Sequence, residues 1–107
     1  MFRSRSLLAR DLKFFWQRKR RGFSEEELWS LDHHLAKLIY PRLKTFKESS
    51  PVHPAPYTED EWKDILQKMI DAFEWAADGG MWKDKLVPIR VEEGLKLFSE
   101  NFLALNW

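Results

Sequence analysis

The pattern that most restricts the fold of this chain is a helix-start signal that occurs twice. Ser24 is followed three residues later by Glu27, and Thr58 is followed by Glu61 at the same spacing. In such a capping box the two residues bond each other's backbone N–H groups, which satisfies donors that a helix leaves free at its start. A large apolar residue lies on each side of both boxes, as in a hydrophobic staple. The pattern therefore predicts two helices that begin directly after Ser24 and Thr58.

Apolar residues recur every three or four positions through most of the chain, which is the spacing of one helix face. Four helices are predicted: residues 5–20, the first box to about Glu48, the second box to Gly79, and Pro88 onward. The residues predicted to face the core are Leu8, Leu12, Phe15 and Trp16 in the first helix and Leu28, Leu31, Leu35, Leu38 and Ile39 in the second. In the third they are Trp62, Ile65, Leu66, Met69, Phe73 and Ala76, and in the fourth Val91, Leu95, Phe98, Phe102 and Leu105. No alternating strand pattern of useful length occurs. The chain is therefore predicted to be all-α, a compact bundle of about four helices in a single domain over residues 1–107.

Proline and glycine mark the predicted interruptions. Pro41 lies inside the second helix, where proline removes a backbone donor and clashes with the preceding turn, so a kink or break is predicted there. Three prolines in residues 49–57 predict an extended, stiff loop between helices 2 and 3. Gly79 and Gly80 are typical of a helix C-terminus, and Pro88 suits a first helical position.

Charge is divided unevenly along the chain. Residues 1–23, predicted as a basic amphipathic N-terminal helix, carry a net charge of +7, whereas residues 24–107 carry −6. The most concentrated part is a run of four cations, Arg18, Lys19, Arg20 and Arg21. Such a run suits the phosphates of a nucleic acid, an acidic protein partner or an anionic membrane surface. It equally suits a solvated helix terminus, where cations face the negative end of the dipole.

Four aromatic residues are predicted to contact a partner: Trp29, Tyr40, Trp75 and Trp107. Trp29 and Tyr40 belong, with Ala36, to a second apolar stripe on helix 2, about 100° from the leucine stripe. A helix that is apolar on two sides either lies at the centre of its own bundle, which we expect here, or offers one side to a partner. Trp75 falls opposite the predicted core face of helix 3, and tryptophan is enriched at binding hot spots.

The residue content argues against several kinds of site. No cysteine is present, which excludes disulfides, thiolate metal sites and cysteine nucleophiles. Asp32, His33 and His34 are adjacent, so on a helix they point about 100° apart and do not converge on one metal. No phosphate-binding glycine loop, convergent carboxylate pair or nucleophile with a base is evident, so no enzyme activity, metal or cofactor is predicted. No apolar run approaches the ~20 residues that span a bilayer, and a cytoplasmic location is expected.

Three segments carry a family resemblance: RGFSEEELWSLD (21–32), YTEDEWKDILQKMIDAFEW (57–75) and EEGLKLFSENFLALNW (92–107). They resemble a family of small, uncharacterised all-helical proteins encoded by tailed phages and prophages of gut and other bacteria. The resemblance covers residues 21–107 and implies a genomic setting rather than a mechanism. Small accessory phage proteins often act by binding, including as inhibitors of host defence, so the resemblance implies a binding role.

The leading hypothesis is therefore a non-enzymatic phage accessory protein that binds a protein partner and inhibits a host defence system in the host cytoplasm. Trp29, Tyr40 and Trp75 are its predicted anchors, and the Arg18–Arg21 run is predicted to steer the encounter. One alternative is a nucleic-acid-binding protein that uses the basic N-terminal helix. The other is a phage structural or assembly protein, with the apolar seam of the fourth helix packed between protomers.

Overall fold

A computed structural model describes residues 2–50, 52–80, 83 and 86–106 of the chain, with side chains from residue 9 onward. The described residues form helices and no strand. In chain order these are α1 (Phe2–Arg21), α2 (Glu25–Leu28), α3 (Leu31–Ser49), α4 (Glu59–Ala77) and α5 (Ile89–Asn101), followed by a 3-10 turn at Phe102–Ala104. The prediction of an all-α chain is confirmed for this part of it. The proline-rich loop includes Pro51, which lies outside the described residues, and stays a prediction.

The chain divides into two compact units, residues 1–31 and residues 32–107. The first unit contains α1 and α2, and the second contains α4, α5 and all of α3 except its first residue. The expectation of a single domain stays a prediction, and each unit is described by itself below.

In the first unit, α1 and α2 pack around one aromatic side chain. Phe14 of α1 is buried, and its ring meets the edge of the Trp29 ring at a centroid distance of 5.6 Å. Gly22 ends α1 with a positive φ of 85°, a backbone conformation that glycine adopts without the steric penalty of a side chain. The capping box at the start of α2 is present, with the Ser24 backbone N–H donating to Glu27 at 2.8 Å.

The predicted core face of α1 is wrong. Among the described side chains of α1, Leu12, Phe15 and Trp16 are exposed and Phe14, about 100° around the helix from Phe15, is buried; the Leu8 side chain lies outside the described residues. The reason is that the segment after Gly22 folds back along the opposite side of α1, where Trp29 covers Phe14. Both sides of α1 are apolar enough to be buried, and the turn decides between them.

In the second unit, α4 lies between α3 and α5. Three side chains of α4 are almost completely inaccessible to solvent: Leu66, Met69 and Ala72. Ala36 and Leu43 of α3 complete the core on one side. Because α4 is packed on both sides, it also buries Ile70 and Ala72, which a single-face pattern did not include.

The approach of α5 to α4 is unusually close. A Cβ atom built on Gly94 of α5 would lie 2.3 Å from the Lys68 carbonyl oxygen and 2.6 Å from the Ala72 Cβ, both on α4. Only a residue without a side chain permits this distance. The Phe73 and Phe98 rings meet edge to face at 4.8 Å beside the crossing, and Lys68 pairs with Glu93 at 3.0 Å.

The predicted second helix differs from the structure in three respects. A turn at Trp29 and Ser30 divides it into α2 and α3. The break predicted at Pro41 is absent, since α3 continues through the proline to Ser49. In the helical turn around Pro41, the Arg42 guanidinium donates to the Leu38 carbonyl oxygen at 2.8 Å. The central position expected for this helix belongs instead to α4.

The core-facing side of α3 also differs from the predicted one: it lies about 100° around the helix, and Ile39 of the predicted stripe packs against its edge. Leu31, Leu35 and Leu38 are exposed, whereas Ala36 is buried and Tyr40 is half-buried in the second stripe. Both stripes are apolar, so local periodicity ranks the leucines first. The buried side of α3 instead contributes Ala36 and Leu43 to one cluster with Leu66 and Met69 of α4.

The ends of α4 and α5 follow local chemistry closely. Thr58 and Glu61 form the predicted capping box, with the Thr58 hydroxyl accepting from the Glu61 N–H at 3.1 Å. Gly79 and Gly80 end α4 with positive φ angles of 108° and 46°. Pro88 is the N-cap of α5 rather than its first residue. In the fourth predicted stripe Val91 is buried and Phe98 half-buried, but Leu95 and Phe102 are exposed. Phe102 lies beyond Asn101, where α5 ends.

Candidate functional site

Tyr40 and Trp75, two of the predicted partner contacts, lie at the same end of α4. Tyr40 reaches across from α3, and its hydroxyl donates to the Glu74 carboxylate at 2.8 Å. Trp75 is the next residue along α4 and is half-buried. The packing of α3 on α4 thus brings together two side chains that are far apart in the sequence.

The glycine pair after α4 positions Trp75. The Gly80 N–H donates to the Trp75 carbonyl oxygen at 2.9 Å, which folds the chain back over the end of the helix. A Cβ on Gly80 would lie 3.1 Å from Cζ3 of the Trp75 indole. Glycine at this position therefore leaves room for the ring and also adopts the left-handed φ that the turn requires.

Two adjoining clefts open on this end of α4. One, of about 340 Å³, is lined by Tyr40, Glu74, Ala77 and Asp78. The other, of about 230 Å³, is lined by Glu74, Trp75, Asp78, Gly80, Lys83 and Arg90. Glu74 and Asp78 line both clefts, so they form a ridge with Tyr40 on one side and Trp75 on the other. We call Tyr40, Glu74, Trp75 and Asp78 the α4 end surface.

The α4 end surface carries two acidic side chains, and the cleft beside Trp75 is also lined by the cations Lys83 and Arg90. Glu74 and Asp78 lie at the C-terminal end of α4, where the helix dipole is also negative, and α4 has no basic residue in its last turn. The hydrogen bond to Glu74 raises the pKa of Tyr40 above its ordinary value, and partial burial and the charges of Glu74 and Asp71 act in the same direction. Lys83 is the nearest compensating charge, with its ammonium 3.1 Å from the Asp78 carboxylate.

Sequence reasoning did not single out Glu74 and Asp78. A signal was present, because two carboxylates four residues apart at a helix C-terminus oppose the helix dipole. By contrast, the acidic residues at the start of α4, Glu59, Asp60 and Glu61, complement the dipole there.

Trp29, the third predicted anchor, lies in the first unit. Its ring is exposed on one side, while Phe14 and the Arg10 guanidinium pack against it, the latter at 5.4 Å from the ring centroid. Trp107, the fourth, lies outside the described residues. The structure therefore brings Tyr40 and Trp75 together and leaves Trp29 in a separate compact unit.

The predicted cationic run ends α1, and all four of its side chains are exposed. Arg21 donates to the Phe23 carbonyl oxygen at 3.1 Å and stacks on the Phe23 ring at 4.5 Å. Within the described part of α1, the cation that pairs with an acid is Lys13, 2.7 Å from Glu25. The hydrogen bonds that Lys13 and Gln17 donate to the Glu25 carboxylate lower the pKa of Glu25. The α1 surface thus stays strongly positive.

The histidines of α3 do not form a metal site with their neighbours. His33 Nδ1 lies 3.4 Å from the Ala76 carbonyl oxygen of α4, and the His34 ring lies edge to face with His33. Among the described residues, no group of three or more His, Asp or Glu side chains is arranged to hold a metal ion.

No protein-family model, curated protein or solved structure matches the chain. None of the helices in the described part of the chain has the length and apolar character needed to cross a bilayer. What the protein does is therefore inferred from its own surfaces.

Proposed function

We propose that the chain is a non-enzymatic binding module and that the α4 end surface holds a basic segment of a protein partner. The observation that carries the proposal is the ridge of Glu74 and Asp78 shared by two clefts, with an aromatic ring on each side. A lysine or arginine side chain laid across the ridge would pair with a carboxylate and contact the face of Tyr40 or Trp75. Charge pairing and cation–π attraction then act on the same group.

Exposure of the carboxylates supports a binding role over a chemical one. Glu74 and Asp78 lie at an open surface rather than in a closed, water-excluding cavity, which a general acid with a shifted pKa requires. The Glu74 carboxylate also opposes the helix dipole at the negative end of α4, and a bound cation would offset that repulsion.

The resemblance to phage-encoded proteins suggests the biological setting. We propose a host protein as the partner, in the host cytoplasm, with a component of a defence system as the most concrete case. Trp29 stays a predicted contact of this kind. The cationic run of α1 has the wrong charge for a basic partner and suits a different ligand.

The binding proposal is tested with a labelled peptide of about eight lysines, which supplies the proposed charge without the partner. Glu74→Lys is compared with Glu100→Lys, which makes the same change in net charge at an exposed position of α5. We expect Glu74→Lys to weaken binding about tenfold or more and Glu100→Lys less than about twofold. Equal weakening by the two variants would mean that only net charge attracts the peptide.

Partner capture is tested with a photoreactive phenylalanine in place of Trp75, with the same group in place of Lys96 as the control. We expect a specific adduct in host lysate from the first position, and its loss when Glu74→Lys is added. Gly80→Ala should weaken the adduct as well, because alanine rarely adopts the φ of 46° that the turn beside position 75 requires. Identical adducts from both positions would contradict the assignment of this surface.

A further inference from the structure

One side of α1 combines large apolar side chains with cations. Leu12, Phe15 and Trp16 are 51%, 46% and 60% exposed, and Lys19 and Arg20 are exposed beside them. At 100° per residue these five positions fall on one side of the helix, away from the buried Phe14. We call them the α1 aromatic–basic face. Contiguous apolar exposure of this kind is unusual on a soluble protein and marks an interaction surface.

The cations of this face are available to an anionic ligand. Lys19 lies over the Phe15 ring, 5.6 Å from its centroid, and neither Lys19 nor Arg20 forms an ion pair with a described residue. The wider segment, residues 1–23, has a net charge of +7. The long-range field of α1 therefore attracts negatively charged surfaces.

We propose that the α1 aromatic–basic face binds the surface of an anionic lipid bilayer. In that position Leu12, Phe15 and Trp16 insert among the acyl chains just below the headgroups, and Lys19 and Arg20 contact lipid phosphates. Apolar insertion and electrostatic attraction together are what a peripheral helix needs for stable attachment, and either alone gives weak binding. The positive charge of the face is complementary to the negative potential of a cytoplasmic membrane surface.

The same face fits a nucleic acid less well. Base stacking needs the flat faces of aromatic rings, but Lys19 lies across the face of Phe15, and Trp16 meets Phe15 edge to face at 5.7 Å. Leu12 offers no stacking surface, whereas it is well suited to lipid. A nucleic acid is therefore an outcome that the test must distinguish.

The experiment measures co-sedimentation of the full chain with vesicles of phosphatidylcholine alone or with about 30 mol% phosphatidylglycerol. We expect binding to the anionic vesicles and little to the neutral ones. Trp16→Ala should lower the partition coefficient between anionic vesicles and water about tenfold. The control is Ile89→Ala, which removes an apolar side chain that is 82% exposed on α5, and it should change binding less than about twofold.

The charge contribution is tested with the double variant Lys19→Glu, Arg20→Glu, which we expect to weaken binding more than about tenfold. Lys96→Glu on α5 should leave it almost unchanged. Glu74→Lys should also retain vesicle binding, so a failure of the peptide-binding proposal is separable from this one. Circular dichroism checks the fold of each variant, and Leu12→Ser replaces Trp16→Ala if the latter loses helix.

Three results would overturn the proposal. The first is no binding to anionic vesicles at low salt, and the second is equal weakening by Trp16→Ala and Ile89→Ala. The third is tighter binding to duplex or single-stranded DNA at the same phosphate concentration, with a steep salt dependence and no effect of Trp16→Ala. That last result would assign the face to nucleic acid.

Discussion

Substituting Gly94 by alanine should be among the most destabilising conservative changes in the chain. The new Cβ would lie 2.3 Å from the Lys68 carbonyl oxygen, 3.1 Å from the Lys68 carbonyl carbon and 2.6 Å from the Ala72 Cβ. The nearest of these atoms belongs to the backbone of α4 and cannot rotate away. Relief therefore requires α5 to move away from α4 by about 1 Å, since ordinary contacts begin near 3.4 Å.

The size of the effect follows from what that movement separates. A radial gap of 0.5–1 Å forfeits roughly a quarter to a half of each dispersion contact across it, and the Phe73–Phe98 pair and the buried Val91 lie at this interface. Overpacking typically costs about 1–3 kcal/mol and occasionally more. Alanine returns about 1 kcal/mol through its higher helix propensity. Because the nearest clash is with backbone, we take the upper end of this range, about 3 kcal/mol, and after the gain in helix propensity we expect the free energy of unfolding to fall by about 2 kcal/mol.

Urea denaturation followed by far-UV circular dichroism measures this loss, with Ser99→Ala on the exposed side of α5 as the control. The control should stay within about 0.5 kcal/mol of wild type. Adding Ala72→Gly to Gly94→Ala should rescue only part of the loss, because the Lys68 oxygen remains in place. A Gly94→Ala protein within about 0.5 kcal/mol of wild type would refute the close approach of the two helices.

Three further outcomes follow from the second unit. Thr58→Ala should lower the free energy of unfolding by about 1 kcal/mol through loss of the α4 cap, as measured in the same urea assay. Leu43→Ala should lower the free energy of unfolding by about 2–5 kcal/mol and Leu35→Ala by much less, because Leu43 is buried and Leu35 is exposed. Equal losses in the two variants would mean that the leucine stripe faces the core after all. The raised pKa of Tyr40 means that its interaction with Glu74 stabilises the fold below the ordinary tyrosine pKa and is lost as pH rises beyond it. Ultraviolet titration should show one tyrosine with a high pKa, and Glu74→Gln should lower that pKa.

The structure corrects the sequence interpretation mainly on which side of a helix is buried. In α1 the apolar residues surround most of the helix, so the periodicity alone did not single out Phe14. In α3 two apolar stripes compete, and the alanine stripe is buried in place of the leucine stripe. Transfer free energy favours burying leucine, but burial depends on which side of α3 faces α4, and that side carries Ala36 and Leu43.

The candidate site also combines residues that the sequence singles out with an arrangement that only tertiary packing produces. Tyr40 and Trp75 are recognisable in the sequence as large aromatic residues outside the predicted core stripes. Their common position depends on the packing of α3 against α4, which joins residues that no local pattern links. Glu74 and Asp78 were visible only as acidic residues on a helix, because their meaning comes from the two clefts that they share.

The sequence by itself determined where most of the helices begin and end. The capping boxes at Ser24 and Thr58 and the positive-φ glycines act within a few residues, so their chemistry is complete in the local sequence. Tertiary structure alone decided the central position of α4, the exposed leucines of α3 and the contact at Gly94. Those features depend on how side-chain volumes fit across two helices, and that fit is a property of residues distant in the chain.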